Sequence, residues 1–236
     1  MGLKEAAPAL AAGGLQNLSE LGKVPDSENL HAHYDVSEES GLSDGDSISS
    51  LEDQSGNGNT ISDGSATYRG SDMNGLPTAG FDGGNDTLWS PTSTWSTITK
   101  PATIYLAVDF DDVADLDIWL SEASTGSYPL MMHNNDYQVE WYDYITGGAA
   151  STGDQLTTLK YDGSDTRSWK DGSLELDRPD TTTPDMTGLA IGPHYYGNSR
   201  YPAGRLGELL VYDTDHDQST REEVESYLAD KWGITI

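Results

Sequence analysis

The sequence predicts an all-β fold, a two-sheet antiparallel sandwich with one short C-terminal α-helix. Two observations support this prediction. Many short segments alternate apolar and polar residues and are separated by turn signals roughly every dozen residues. Only the C-terminal segment has a clear helical pattern. The chain of 236 residues is long enough for one large β domain with a buried core.

The segment Ala102–Phe110 shows the clearest strand pattern, because its even-numbered residues from position 104 onwards are all apolar. Such alternation is typical of a strand with one face on a core. Tyr137–Ile145 alternates in the same way and predicts one further strand, with Tyr142 and Tyr144 on its polar side. Other predicted strands are 31–36, 47–51, 87–89, 156–161, 166–170 and 173–176.

The segment Gly204–Tyr212 predicts a second long strand. Its run from Leu209 to Tyr212 is wholly apolar, and Leu206 precedes it. This pattern suits a strand that is buried on both faces. Glu208 interrupts the apolar pattern. Because an unpaired carboxylate in a core would be costly, we expect Glu208 to be hydrogen-bonded inside the protein.

The residues after this strand predict the helix. Ser219, with Glu222 three residues later, has the spacing of a capping box at the helix N-terminus. Lys231 and Gly233 are residues that a helix C-terminus favours. The apolar stripe expected to face inward is Val224, Tyr227 and Leu228.

Four sequence blocks follow one another in the order found in a known family. Three are L-E-D-Q-S-G-N-G-N at Leu51–Asn59, N-G-L-P-T-A-G-F-D-G-G-N-D-T-L at Asn74–Leu88 and S-W-K-D-G-S at Ser168–Ser173. The fourth joins E-L-L-V-Y-D at Glu208–Asp213 to Y-L-A-D-K-W-G at Tyr227–Gly233. Across residues 29–236 the chain resembles the concanavalin A-like, laminin-G-like jelly-roll domains of the lectin and glucanase superfamily. The resemblance implies the sandwich fold and identifies no ligand.

Acidic residues dominate the charge of the chain. There are 40 Asp and Glu residues against 12 Lys and Arg residues, which gives a formal net charge of −28. Such a surface stays hydrated at high salt, where a Debye length of about 3 Å in 1 M salt screens the mutual repulsion. We therefore expect a halophilic source, either haloarchaeal or a haloarchaeal virus, and weaker folding in low salt.

The composition also argues against several classes of function. The chain has no basic stripe for nucleic acid and no run near the ~20 apolar residues of a membrane span. It has no cysteine for disulfides or thiolate chemistry. The apolar part of the N-terminus, Ala6–Leu15, is mostly Ala and Gly and does not resemble a signal peptide. We therefore expect no nucleic acid, no membrane insertion, and synthesis in the cytoplasm.

Residues 1–28 differ in composition from residues 29–236, the predicted jelly-roll domain. They are rich in Ala and Gly and contain no aromatic residue, so they cannot form a core alone. Two interpretations stay open. The segment is either a disordered tail or an anchor and linker that docks on another subunit.

Paired carboxylates are the first candidates for catalysis, because related glucanases carry alternating acids on one strand. The nearest match is Glu175, Asp177 and Asp180. It departs from the family pattern, since the last acid is Asp rather than Glu and Pro179 would break the strand pairing. His31 and His33 share a strand face and are expected to be surface residues. We therefore predict that the protein is not an enzyme.

Oxygen-rich turns are the candidates for a cation site, because Ca²⁺ takes six to eight oxygen ligands. The loop with Asp53, Asn57 and Asn59 is favoured, since members of the resembled family often bind calcium near the sandwich rim. Two further acidic clusters, residues 44–46 and 213–217, are alternatives. In a chain this acidic, clustered Asp residues arise by chance, so a solvated surface is the favoured interpretation of each cluster.

Sugar binding requires exposed aromatic rings beside polar groups. The aromatic loop after residue 193 has this composition. Its candidate residues are Tyr195, Tyr196, Asn198, Arg200 and Tyr201. Tyr142 and Tyr144 form a second candidate patch. The alternative is that these tyrosines pack half-buried, with only the hydroxyl group at the surface.

These observations together predict a non-enzymatic structural and recognition protein, a virion surface component of a halophilic archaeal virus such as a spike, turret or fibre head. It would be made in the host cytoplasm and would contact host-surface glycans. Residues 1–28 would join it to other virion proteins in a symmetric homo-oligomer. The alternative is an extracellular lectin domain of a haloarchaeal cell-surface protein that binds carbohydrate. A degenerate glycoside hydrolase is the third interpretation.

Overall fold

The structure, a computed structural model, describes residues 23–90, 93–99, 101–111, 119–121, 132–133, 138–141, 143–146, 151–179, 185–192 and 201–236. Over these residues the chain is an all-β antiparallel sandwich with one α-helix at its C-terminus, as the sequence predicts. The described residues also include 3₁₀ turns at Ser27–Asn29, Val36–Glu38 and Met73–Gly75.

The strands are numbered in chain order. They are β1 Leu30–Asp35, β2 Ser47–Ile48, β3 Asp63–Gly64, β4 Ala66–Arg69, β5 Thr78–Asp82, β6 Leu88–Ser90, β7 Ala102–Phe110, β8 Leu120–Ser121, β9 Met132–His133, β10 Gln138–Trp141, β11 Asp143–Thr146, β12 Gly153–Tyr161, β13 Asp165–Lys170, β14 Ser173–Pro179, β15 Leu189–Ile191 and β16 Ala203–Tyr212. The helix, α1, is Gln218–Trp232.

The described strands form three antiparallel sheets. The large sheet has the order β14-β13-β12-β7-β16-β5-β4-β2, and β1 pairs with the C-terminal half of β16, beyond the part that pairs with β5. Strands in the order β3-β6-β15-β8 form the second layer of the sandwich. Strands β11, β10 and β9 form a small sheet.

Strand β7 has the bounds that its alternation predicts. The prediction of one strand over Tyr137–Ile145 is wrong, because the described residues form two strands, β10 and β11, that pair with each other. Period-two alternation continues on both arms of a hairpin, so it does not reveal where the chain reverses. The predicted strand 47–51 is also shorter. It ends at Ile48 and is followed by an isolated bridge between Leu51 and Ile61.

The large sheet buries side chains on both of its faces. On the inner face, Leu106 of β7 belongs to the same core as Ile191 of the second layer. On the outer face, Leu210 of β16 packs in a separate core with Val224 and Trp232 of α1. Strand β16 is therefore buried on both faces, as its apolar run predicts.

A bulge at Gly207 shapes β16 where Trp232 packs against it. The pairing of β16 with β7 shifts register between Leu206 and Glu208, which leaves Gly207 as the extra residue. A Cβ atom at Gly207 would lie 2.7 Å from the indole ring of Trp232, so the absence of a side chain makes room for that ring. The shifted register places Glu208 on the side of the sheet that α1 covers, where it bonds to helix residues.

Helix α1 begins earlier than predicted. Its N-cap is Asp217, whose side chain accepts a 2.8 Å hydrogen bond from the backbone N–H of Thr220. The predicted capping box of Ser219 and Glu222 is therefore wrong, because Asp is as favourable an N-cap as Ser and here it comes first. The prediction for the other end is confirmed, since Gly233 adopts a φ of 71° and ends the helix. None of the helices in the described ranges has the length and apolar character needed to span a bilayer.

Candidate functional site

The predicted aromatic sugar site falls mostly outside the described residues. Those outside are Tyr142, Tyr195, Tyr196, Asn198 and Arg200. Tyr144 belongs to β11, and Tyr201 is half-buried just before β16. The structure therefore does not test this site, and it stays a prediction.

The predicted calcium loop is held against β1 by its own hydrogen bonds. The carboxylate of Asp53 accepts hydrogen bonds from the backbone N–H groups of His33 (3.0 Å) and Ser55 (3.0 Å). It also accepts one from the N–H of Asn59, at 2.8 Å. These three bonds give Asp53 a structural role, because a buried or half-buried N–H group needs an acceptor.

The two asparagines of the loop complete this attachment. The side-chain amide of Asn57 donates to the carbonyl of Leu30 at 2.7 Å, and that of Asn59 donates to the carbonyl of His31 at 2.7 Å. The side-chain oxygen of Asn59 accepts from the N–H of Ser96 at 2.8 Å. The loop is thus a clasp on the edge of β1, and calcium binding there stays a prediction.

The expectation that His31 and His33 are surface residues is wrong, because both are buried. Strand β1 is covered on both faces, so its polar residues need internal partners. The imidazole of His31 lies 5.0 Å from the ring of Trp95, measured between centroids, and burial lowers its pKa. His33 hydrogen-bonds to Glu208.

Glu208 lies in a network of polar side chains between β1, β16 and α1. Its buried carboxylate accepts hydrogen bonds from Nε2 of His33 at 2.8 Å and from Nζ of Lys231 at 2.7 Å. It also accepts from Nε1 of Trp232 at 2.9 Å and from the hydroxyl group of Tyr227 at 3.0 Å. The prediction that Glu208 is hydrogen-bonded inside the protein is confirmed.

Lys231 also forms an ion pair with Asp35, and we refer to these six side chains as the buried charge cluster. Burial alone would raise the pKa of Glu208, but the hydrogen bond from His33 and the charge of Lys231 hold that pKa below its ordinary value. Burial alone would lower the pKa of Lys231, but the carboxylates of Glu208 and Asp35 raise it. The cluster therefore favours ionised carboxylates facing an ammonium group.

Part of the cluster has the spacing of a metal site. One ligand atom each from His33, Asp35 and Glu208 lies within 4.8 Å of the others. However, Lys231 contacts both carboxylates, so its ammonium group already holds the place of the cation. The arrangement fits an internal ion pair that fastens α1 to the sheet.

An open pocket of about 360 Å³ lies at the other end of α1, and we call it the helix-side pocket. Strands β12, β13 and β14 extend beyond the helix and form its floor, and the first turn of α1 forms a wall. Its lining residues are Lys160, Arg167, Trp169, Leu174, Asp177, His216, Gln218 and Arg221.

Strand register brings these floor residues together. Lys160 of β12 pairs with Arg167 of β13, which pairs in turn with Asp177 of β14. Trp169 of β13 pairs with Leu174 of β14. Directly opposed residues of antiparallel strands project from the same face, so the pairs form two adjacent rows. Leu174 is 54% exposed, so its side chain leaves an apolar surface open to solvent at the pocket.

The cation at the centre of the floor, Arg167, is paired with three carboxylates. Nε of Arg167 donates to Oδ1 of Asp177 at 2.9 Å. Its Nη2 atom lies 3.2 Å from Asp165, and its Nη1 atom lies 3.8 Å from Asp162. The hydrogen bond to Asp177 is the main cause that raises the pKa of Arg167. Arg167 therefore holds the carboxylate of Asp177 in place at the pocket floor.

The other two cations of the pocket, Arg221 of the wall and Lys160 of the floor, are paired as well. The guanidinium carbon of Arg221 lies 4.6 Å from the centroid of the Trp169 ring, a cation–π contact. Arg221 also forms an ion pair with Glu225. Lys160 donates to the carbonyl of His216 at 2.9 Å and pairs with Asp215. The wall thus fixes the indole of Trp169 against α1.

Sequence patterns alone did not identify this pocket. In the sequence, the block S-W-K-D-G-S contributes only to the family resemblance, because the partner strands that surround Trp169 depend on strand register. The sequence identifies Asp177 only as part of an incomplete catalytic carboxylate pattern. The objection that Pro179 would break the pairing is wrong, because Pro179 is the last residue of β14, an edge strand that tolerates proline.

The chain is similar in fold to several proteins of known structure. No protein-family model matches the chain, and the comparison with curated protein sequences gave no match. Trypanosoma rangeli sialidase in complex with 2,3-difluorosialic acid has a TM-score of 0.62 at 15% identity, over 96% of this chain and 36% of the sialidase chain. Domain 4 of AbnA, a GH43 extracellular arabinanase from Geobacillus stearothermophilus, in complex with arabinotriose, has a TM-score of 0.58 at 17% identity, over 84% of this chain and 98% of that domain.

A bacterial toxin domain is similar as well. The binding domain of botulinum neurotoxin serotype D has a TM-score of 0.55 at 9% identity, over 85% of this chain and 51% of that chain. At such low identity these likenesses show a shared β-sandwich fold. The chain spans only 33% of the sialidase chain in complex with the difluoro-KDN compound.

Proposed function

We propose that this protein is a non-catalytic carbohydrate-recognition module and that the helix-side pocket binds the glycan. The observation that carries the proposal is the pocket itself. Its floor places the indole of Trp169 and the exposed side chain of Leu174 beside the carboxylate of Asp177 and the guanidinium group of Arg167. Its volume of about 360 Å³ lies in the range of small-ligand sites.

A saccharide requires this combination of groups. One face of a pyranose ring is apolar and packs on an aromatic or aliphatic surface, while its hydroxyl groups both donate and accept hydrogen bonds. Asp177 is exposed and uses Oδ1 for Arg167, so it retains acceptor capacity for a hydroxyl group. Gln218 on the wall supplies an amide that can donate and accept.

The described carboxyl groups whose pKa is raised lie away from the helix-side pocket. A glycosidase needs a carboxyl group whose pKa is raised so that it can act as an acid. Among the described residues, burial raises the pKa of Glu39, Asp86, Asp154 and Asp171. None of these four lines the helix-side pocket. The structural neighbours include domain 4 of an arabinanase in complex with arabinotriose, matched over 98% of that domain, and this likeness supports the proposal of carbohydrate binding.

One variant in the pocket and one matched control outside it test the proposal. Leu174 in the pocket is 54% exposed, and Ile236 outside it is 49% exposed. We expect Leu174→Ser to weaken binding on an oligosaccharide array by about tenfold, the loss of one apolar contact worth about 1.4 kcal/mol, while Ile236→Ser leaves binding unchanged. Equal binding by both variants would place the glycan elsewhere, including the predicted loop of Tyr195 to Tyr201, and would overturn the pocket assignment.

Our finer proposal is that this module acts on the virion surface of a halophilic archaeal virus, joined to other virion proteins through the N-terminal segment. The charge of −28 supports a halophilic setting. Pro25 accepts a 2.8 Å hydrogen bond from Tyr212, and Asp26 lies 3.1 Å from Nε2 of His216. A truncation that tests the anchor should therefore remove residues 1–22 and keep these contacts. Light scattering in about 1 M KCl should show an oligomer that the truncation abolishes, and an unchanged oligomer would contradict the anchor.

A further inference from the structure

The charges around the helix-side pocket are more numerous than those that line it, and their balance decides which ligands it accepts. The cations are Lys160, Arg167 and Arg221. The carboxylates within ion-pair distance of them are Asp162, Asp165, Asp177, Asp215, Glu222 and Glu225. Each cation therefore has at least one carboxylate partner from the chain itself.

His216 does not change this balance. It lines the pocket, but burial lowers its pKa, so the imidazole is neutral at pH 7. Counted together, the three lining cations and their ion-pair partners comprise more carboxylates than cations, so the surroundings of the pocket are net negative. An incoming anion would have to compete with the carboxylates that already pair with these cations.

We propose that the helix-side pocket selects neutral glycans and rejects those that carry a carboxylate or a sulfate group. This inference rests on the proposed carbohydrate-binding function and names its ligand class. Neutral hydroxyl groups add hydrogen bonds to Asp177 and Gln218 without displacing any ion pair. A uronate or sialic acid residue brings a further negative charge beside carboxylates that have no spare cation.

The cations of the pocket position neighbouring side chains and are not needed to attract an anion. Arg167 holds Asp177 at the floor, and Arg221 stacks on Trp169. In both cases the guanidinium group positions the side chain that would touch the sugar. The cations therefore support the binding surface, and the surface itself offers an acceptor and an indole ring.

The test compares ligands that differ only in charge. Neutral disaccharides and the matching disaccharides with a terminal uronate are measured by calorimetry, at the lowest salt in which the chain keeps its folded circular dichroism spectrum. Lactose and sialyllactose form a second pair. We expect the neutral member of each pair to bind about tenfold tighter or more. Uronates that bind as tightly as the neutral sugars, with binding lost in Leu174→Ser, would overturn this inference and leave the proposed function standing.

The outcome for the proposed function is separate. If neither kind of saccharide binds, or if binding is insensitive to Leu174→Ser, the carbohydrate function of the pocket fails, and its ligand class fails with it. If neutral sugars bind and Leu174→Ser weakens their binding, the proposed function holds. The ratio of neutral to uronate affinity alone then decides this inference.

A second pair of variants tests the role of the ion pairs. Asp215 pairs with Lys160 without lining the pocket, and Asp230 is exposed near the other end of α1. Asp215→Asn and Asp230→Asn change the net charge equally. We expect Asp215→Asn to free Lys160 and improve uronate binding about threefold or more, with neutral sugars unchanged, and Asp230→Asn to change neither. Equal effects of both variants would show that overall charge, rather than local pairing, causes the selection and would overturn the inference.

Discussion

Helix α1 packs beside two groups of charged residues, one near each of its ends. One group is buried and the other is open to solvent. Near its C-terminus, Lys231 and Glu208 lie between the helix and β16, and the Glu208 carboxylate accepts hydrogen bonds from four protein side chains. Near its N-terminus, Arg167 and Asp177 lie on strands that the helix does not cover, so their pair stays open to solvent and to a ligand. The coverage of the sheet by the helix separates an internal fastening from a binding surface.

The largest expected effect on stability comes from removing the cation of the buried charge cluster. Lys231→Met keeps the length of the side chain but leaves Glu208 and Asp35 without their cation, and we expect it to lower the free energy of unfolding by about 3–5 kcal/mol. Lys160→Met is the matched control at the pocket, where the partner Asp215 is partly exposed, and it should cost about 0–1 kcal/mol. Urea unfolding followed by tryptophan fluorescence measures both. Similar losses in the two variants would contradict the distinction between the regions.

The packing of the helix against the bulge is the next test. Gly207→Ala would place a Cβ atom 2.7 Å from the Trp232 ring, and we expect a loss of about 1–3 kcal/mol from overpacking. Gly70→Ala is the control, because the nearest atom to its Cβ would lie at 3.6 Å, an ordinary contact. Denaturant unfolding should separate the two variants, and a harmless Gly207→Ala would show that Trp232 can move away from the strand.

Breaking the clasp on β1, the loop of Asp53, Asn57 and Asn59, should lower stability by a comparable amount. Asp53→Ala removes the acceptor of three backbone N–H groups, and we expect a loss of about 1–3 kcal/mol in unfolding free energy. Asp63→Ala, at an exposed position of β3, is the control. Our calcium prediction adds a second expectation. About 1 mM CaCl₂ should raise the melting temperature of the wild type but not of Asp53→Ala, and an equal or absent shift would remove the calcium site.

Acidification should reduce the stability that the buried charge cluster contributes, within a defined pH range. The pKa of Glu208 in the folded protein lies below its ordinary value of 4.5, so the group contributes its stability in full above that pH. This contribution is lost as the pH falls towards the folded pKa. The difference in unfolding free energy between the wild type and Glu208→Gln should therefore shrink below about pH 4.5. A difference that grows on acidification would show that the pKa is raised instead.

The elements that the sequence predicts correctly are those with a local cause. The alternation of Ala102–Phe110 and the apolar run of β16 each determine a strand within a few residues. The presence of Glu208 in that run is enough to predict that it needs partners. Its partner His33 is 175 residues away along the chain, so the identity of the partner depends on tertiary pairing that no local pattern contains.

The helix-side pocket is harder to predict for the same reason. Trp169 and Leu174 are close in sequence, but Gln218 and Arg221 reach them only because α1 crosses the large sheet above β12. The residues that composition favoured, Tyr195 to Arg200, lie outside the described residues. Composition finds aromatic loops, whereas a pocket on a sheet face depends on strand order and on where a helix stops covering it.

The smallest expected effect on stability is also the one that best sharpens the comparison between the two ends of α1. Arg167→Met removes the partner of three partly exposed carboxylates, and exposed ion pairs contribute little, so we expect a change of about 0–1 kcal/mol in unfolding free energy. Because Arg167 positions Asp177, the same variant should weaken binding of neutral sugars by about tenfold. Calorimetry beside urea unfolding separates these quantities. A stability loss as large as that of Lys231→Met, or unchanged sugar binding, would mean that the pocket is a second structural cluster rather than a recognition surface.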